Sequence, residues 1–216
     1  MSTAAFSPAL KPYRNSFIQA MEDAQQQIYN RLAKIADIFA DIKAEYAVIG
    51  GNAVIVWMRA KQMDSRTTRN VDLMLRKEDL PGIRFALEKK GYEFIKTGGM
   101  CLFFDTTEGV ERKVQNGIHL VFCGEKIKNF TTPELAYTEI GGMKVATIAN
   151  LVKMKVAAAR PKDLEHLQDL VEAGYTTKAK VMELARGMQH TVEQKTVLSL
   201  LKEKSQDSDD LPPASP

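Results

Sequence analysis

Val48-Ile-Gly-Gly-Asn-Ala-Val54 and, one loop later, Arg66-Thr-Thr-Arg-Asn-Val-Asp-Leu-Met-Leu75 decide how this chain is read. An apolar stretch enters Gly50-Gly51 and continues into Asn52 to about Lys61. That order predicts a buried strand over Tyr46 to Ile49, a tight turn and a helix, the elements that bring backbone N–H groups close to phosphate. Asn70 to Leu75 predicts the next strand. Within it Asn70 and Asp72 are two residues apart, so strand alternation points both to one side, the arrangement that holds a divalent metal against a triphosphate. Asn70 brings an amide oxygen without charge, whereas magnesium favours hard, charged oxygen ligands.

Outward from this stretch, length and composition set the frame. The chain has 216 residues, 44% hydrophobic and 26% charged, which suits one substantial core with a helical appendix. Thirty basic residues against 27 acidic ones give a formal charge of +3, too balanced for nucleic-acid binding by bulk charge. Cys101 and Cys123 cannot form a disulfide framework, and the longest apolar run, Ala53 to Met58, is too short to span a bilayer. Met-Ser-Thr-Ala-Ala-Phe-Ser-Pro at the start lacks the apolar core of a secretory signal. The expectation is a protein of the reducing cytoplasm.

Apolar residues from Phe17 to Ile42 recur with helical period, predicting one long amphipathic helix over roughly 15–44, capped by Asn15 or Ser16. Asp79 to Gly91 reads as a helix with both ends marked. Tyr92 to Lys96, Met100 to Asp105 and Gly117 to Phe122 read as strands, and Glu108 to Asn116 as a charged loop. Ala136 to Ile140 and Met143 to Ala146 flank Gly141-Gly142 as a hairpin. Helices follow at Ile148–Ala159, Lys162–Ala173, Thr177–Arg186 and Val192–Lys204. The expected organisation is a flexible arm over 1–14, an α/β core with its N-terminal helix over 15–147, a helical part of the same unit over 148–204, and a disordered tail over 205–216.

This order resembles the palm of the nucleotidyltransferase superfamily, an α/β (α+β) fold with a small mixed sheet. Within it the chain resembles bacterial nucleotidyltransferase-fold proteins related to the abortive-infection AbiEii toxin family. The resemblance runs from about Tyr46 to Gly174. It rests on the two opening blocks, on His119-Leu-Val-Phe-Cys-Gly-Glu125, and on Leu151-Val-Lys-Met-Lys155 with Arg160-Pro-Lys-Asp163 and His166-Leu-Gln-Asp169. It implies Asp72 with Asn70 at a magnesium or manganese ion, Gly50 and Gly51 at the triphosphate, and Lys155 and Arg160 as phosphate contacts. It also implies acids at positions 70 and 119, where this chain has Asn70 and His119, so two of three expected carboxylates are absent. Asp105 or Glu125 are the candidate replacements.

Several residues keep two readings. His119 suits a general base, a transition-metal ligand or a core histidine with a backbone partner. Cys101, Cys123, His119 and His166 nominally offer four zinc ligands but lack zinc spacing, and buried free cysteines are the simpler reading. Lys155 falls within the apolar stripe of Leu151, Met154, Ala158 and Ala159, so it either snorkels to solvent or meets an anion. Asp163 reads as an N-cap, Lys153 as a solvated charge, Trp57 as buried, and Met58, Met74 and Met154 as core. Arg66 and Arg69, with Thr67 and Thr68, either hold a phosphate or partner or are tied down by local hydrogen bonds.

The expected function is accordingly a degenerate domain that binds a nucleotide or a protein partner with weak or no NMP transfer. The alternatives are an active metal-dependent transferase moving NMP from NTP to a protein, RNA or small acceptor, and an antitoxin-like interaction protein. No membrane association is expected.

Overall fold

The computed structural model describes residues 11–63, 68, 70–107 and 113–203. Residues 1–10, 64–67, 69, 108–112 and 204–216 lie outside the described residues, and with them most of the arm expected over 1–14, Arg66, Thr67, Arg69, the first part of the loop expected over 108–116 and the tail expected over 205–216.

The element order is α1 (Lys11–Asp41), β1 (Tyr46–Val48), α2 (Gly50–Ala60), β2 (Val71–Leu75), α3 (Leu80–Lys89), β3 (Tyr92–Thr97), β4 (Met100–Asp105), β5 (Ile118–Phe122), β6 (Lys126–Ile127), β7 (Phe130–Thr131), β8 (Tyr137–Ile140), β9 (Met143–Ala146), α4 (Ile148–Ala158), α5 (Pro161–Glu172), α6 (Lys178–Arg186) and α7 (Val192–Glu203). Among the described residues these make a mixed α/β fold with seven helices around a seven-stranded sheet, ordered β3-β4-β5-β2-β1-β9-β8. β2 runs parallel to β5 and antiparallel to β1, and β1 runs parallel to β9.

Strand parity divides the sheet into two unequal faces. Tyr46, Val48, Val71, Leu73, Leu75, Phe103, Ile118 and Leu120 join residues of all seven helices in the main core. Ala47, Met74 and Ala146 point the other way, into a small cluster with Val121, Cys123 and Met154. The reason α2 sits centrally is its composition: from Gly51 to Met58 every residue but Trp57 is buried, and a helix apolar on nearly all sides must be enclosed. Trp57, expected to be buried, is only half-buried; its indole Nε1 donates to the Ala146 carbonyl at 3.0 Å.

Several boundaries differ from expectation for physical reasons. α1 already includes Lys11, so Asn15 and Ser16 lie inside the helix and do not cap it. α2 begins at Gly50, because Ala53 N–H already bonds the Ile49 carbonyl at 3.3 Å, so the two glycines form its first turn rather than a separate one. Asp163 is the third residue of α5, where its carboxylate reaches back to the Arg160 N–H at 3.3 Å, so it is not the N-cap. β6 and β7 form a separate two-stranded ribbon absent from the sequence reading.

Candidate active-site cleft

Asn70 and Asp72 enter from the start of β2, and the β1 turn meets them: Ile49 N–H donates to the Asp72 carbonyl at 2.9 Å, and the Asn52 amide to the Asn70 carbonyl at 2.5 Å. Asp72 shares the face of Met74, opposite the main core. Its carboxylate lies directly on Gly50, where a Cβ would overlap Oδ2. Gly50 is therefore required twice, by this approach and by its φ of +70°. Gly50→Ala is expected to cost about 1–2 kcal/mol for the left-handed backbone alone and to displace Asp72 as well, which urea denaturation of the variant will measure. Gly51 is similarly crowded: a Cβ there would stand 3.0 Å from Thr68 Cβ and 3.3 Å from His166 Cε1.

His119 pairs in register with Asp72 on the adjacent parallel strand, so the two side chains stand on one face. Its Nε2 lies 2.7 Å from the Val114 carbonyl, an acceptor, which assigns the ring proton to Nε2 when the imidazole is neutral and leaves Nδ1 a free lone pair.

The helical part supplies the opposite charge. Lys155 does not snorkel: at 4% exposure its ammonium lies 2.9 Å from His166 Nδ1 and 3.4 Å from Asp163 Oδ1. Asp163, 2% exposed, accepts from Arg160 Nε at 2.6 Å and Nη2 at 3.3 Å. Pro161 starts α5 and turns the chain so that Asp163 and His166, three residues apart on one helical face, meet Lys155 of α4. Lys153, one turn face away, is exposed as expected.

These charges act on one another. Burial raises the Asp72 carboxyl above its ordinary value, and His119, Lys162, Arg160 and Lys155 together pull against that rise. Burial holds Lys155 below the usual ammonium range, while Asp163 opposes the effect. Burial pushes Asp163 upward, but its Arg160 bonds and the Lys155 charge prevail and keep it low. His166 falls to about 4, first through burial and then through the Lys155 charge, so it is neutral near pH 7.

The candidate replacement acids do not converge here. Asp105 lies on the Cys101–Phe103 side of β4, facing the helices, where Lys34 of α1 pairs with it at 2.7 Å. Glu125 is exposed beyond the far end of β5, where Phe122 already pairs with Leu75. Cys101 and Cys123 point to opposite faces of the sheet, which excludes the four-residue zinc set. Among the described residues no group of three or more histidines, cysteines and acids could hold a metal ion. Asp72, with the uncharged Asn70 two residues before it and in the electrostatic field of Lys162, Arg160 and Lys155, is a poor donor set for magnesium.

His166, considered from the sequence only within the nominal zinc set, is instead the partner of Lys155. The signal available was its spacing of three from Asp163, inside a helix that also carries Leu164, Leu167 and Leu170 toward the core.

No protein-family model matches the chain, and no curated protein matches it. Ten solved chains resemble it in structure. One is the antibiotic-resistance factor ANT(2'')-Ia in solution, at 11% identity over 86% of this chain and 96% of that one, with a TM-score of 0.46. Its crystal structure with adenylyl-2''-tobramycin gives 12% identity over 82% and 97%, with a TM-score of 0.43. An antigenic nucleotidyltransferase-like protein from Paracoccidioides brasiliensis gives 14% identity over 87% and 91%, with a TM-score of 0.45. Among the described residues no helix is long and apolar enough to cross a membrane.

Proposed function

We propose that this is a nucleotidyltransferase-fold protein, akin to the AbiEii-related group, whose cleft binds a nucleoside triphosphate and transfers NMP weakly or not at all. The observation that supports this reading is the seat of Asp72 on Gly50, at the first turn of α2 and within the field of Lys155, Arg160 and Lys162. A helix N-terminus and a cationic cluster are complementary to a phosphate chain. Nucleotidyl transfer asks more: an aligned α-phosphate, an activated acceptor hydroxyl and stabilised developing charge. Asp72 and His119 are the groups for that work. His119 Nδ1 can take a proton from an acceptor, while the neutral Asn70 beside Asp72 adds no charge to the metal-binding side.

Purified protein is expected to transfer little or no labelled nucleotide with magnesium. Any residual transfer should depend on manganese and rise in Asn70→Asp, which adds a charged oxygen two residues from Asp72. An active transferase is the second reading, supported by the register pairing of Asp72 with His119. Robust magnesium-dependent transfer by the unaltered protein, abolished by Asp72→Ala, would establish it instead. The free cysteines suit a cytoplasmic setting.

A further inference from the structure

We propose that Asn52 is a positioning residue of the cleft: its side-chain amide stands in for a sheet hydrogen bond that the backbone no longer supplies, and so holds Asn70 and Asp72 at the start of α2. This rests on the nucleotide-binding reading of the cleft and names a residue that builds it.

Register supplies the geometry. β1 and β2 pair Tyr46 with Leu75, Ala47 with Met74 and Val48 with Leu73, so Ile49 falls opposite Asp72 and Gly51 opposite Asn70. In an antiparallel ladder the hydrogen-bonded pairs recur at every second residue. Ile49 N–H bonds the Asp72 carbonyl at 2.9 Å, and the next rung would run from Gly51 N–H to the Asn70 carbonyl. By then Gly50, with its φ of +70°, has turned the chain out of the sheet and into α2. The Asn52 side chain fills the place of that rung: its amide nitrogen donates to the Asn70 carbonyl at 2.5 Å. Because a carbonyl only accepts, the end of the amide facing it is the nitrogen. Asn70 precedes the first residue of β2 and is tied to α2 by this side chain.

The surroundings of Asn52 do not otherwise call for an amide. Asn52 is fully buried and lines a small cavity with Ile28, Tyr29, Leu32, Ile55 and Val56 of α1 and α2. Among the described residues its Oδ1 has no hydrogen-bond partner. A buried amide bonded at one end is costly, whereas leucine has nearly the same shape and no polar atom. Packing alone would favour an apolar residue here. What the amide fixes is the place of Asn70, two residues before Asp72, where the chain arrives from Thr68 against Gly51.

Asn52→Leu and Ile55→Ala in the full chain separate positioning from packing, because both side chains line the same cavity. Three quantities are read: the unfolding temperature, ATP affinity by calorimetry with magnesium and with EDTA, and the carbon-13 NMR signal of the Asp72 carboxyl at fixed pH. Asn52→Leu is expected to unfold at the same temperature as the unaltered protein or higher, yet to move the Asp72 signal and weaken ATP binding roughly tenfold or more, as displacement of a positioning group does. Ile55→Ala should do the reverse, unfolding at lower temperature with ATP affinity and the Asp72 signal unchanged. An Asn52→Leu protein that is less stable but keeps its ATP affinity and Asp72 signal would overturn the proposal and make Asn52 a packing residue. If Asn52→Leu does not fold, the Asn52 amide of the unaltered protein decides: slow proton exchange and a through-bond coupling to the Asn70 carbonyl carbon support the proposal, and a freely exchanging amide overturns it. Absence of ATP binding by the unaltered protein under both conditions would overturn the nucleotide reading and not the positioning one, which the Asp72 signal in Asn52→Leu then decides.

Discussion

Asp163→Ala is expected to destabilise the protein by about 3–5 kcal/mol, the range for removing one partner from a buried ion pair. Asp163 is nearly inaccessible and serves Lys155, the Arg160 guanidinium and the Arg160 backbone N–H together. Without it Arg160, whose side chain is 58% exposed, can turn to water. Lys155 cannot. Its ammonium would remain buried against a neutral imidazole, and a buried unpaired charge is the costly outcome. Lys155→Met with Asp163→Leu should recover much of the loss, because a packed apolar pair in place of a buried ion pair is often neutral. Urea denaturation of the two single variants and the double variant measures this; a loss under about 1 kcal/mol for Asp163→Ala would contradict the assigned burial.

Folding stability should also fall as pH drops from about 6.5 to 4, by up to roughly 3 kcal/mol from His166 alone. In the folded protein this imidazole protonates only near 4, whereas in the unfolded chain it does so at the ordinary histidine value. Between those values the unfolded chain binds a proton that the folded protein refuses, so acid favours unfolding. Below 4 both states are protonated, so the slope from His166 vanishes and the loss stays at its full size. Asp163, held low when folded, adds a further loss once pH falls below the ordinary carboxylate value. Asp72, held high, acts with opposite sign and offsets part of it. His166→Gln should flatten the slope between pH 6.5 and 5. An unchanged slope in that variant would assign the pH dependence to other groups.

The sequence is most informative about position and least about direction. β1, the glycines and β2 were legible because apolar runs, Gly-Gly and the two-residue spacing of Asn70 and Asp72 are local signals, and their common face is what alternation predicts. Lys155 was marked by its place in an apolar stripe. What it meets depends on how α5 turns back on α4, and no local pattern carries that. For the same reason His166 could be read only as a nominal zinc ligand and as part of the resemblance block, not as the partner of Lys155. Asp105 failed as a replacement acid through parity: it shares a face with Cys101 and Phe103, and only the pairing of β4 with β5 shows that this face meets the helices. The ribbon of β6 and β7 has two residues per strand, too few for any period to register.

Calorimetric titration of ATP into the full chain in excess EDTA tests the central claim most directly. The expected result is saturable binding of similar strength with EDTA and with magnesium, lost in Lys155→Ala, because the positive charge at the phosphates belongs to the protein. Binding at 100-fold excess over the dissociation constant should raise stability by about 2.7 kcal/mol, which a parallel thermal scan can read. Heat of binding seen with magnesium and abolished by EDTA would contradict the account and assign the phosphates to a metal held at Asp72.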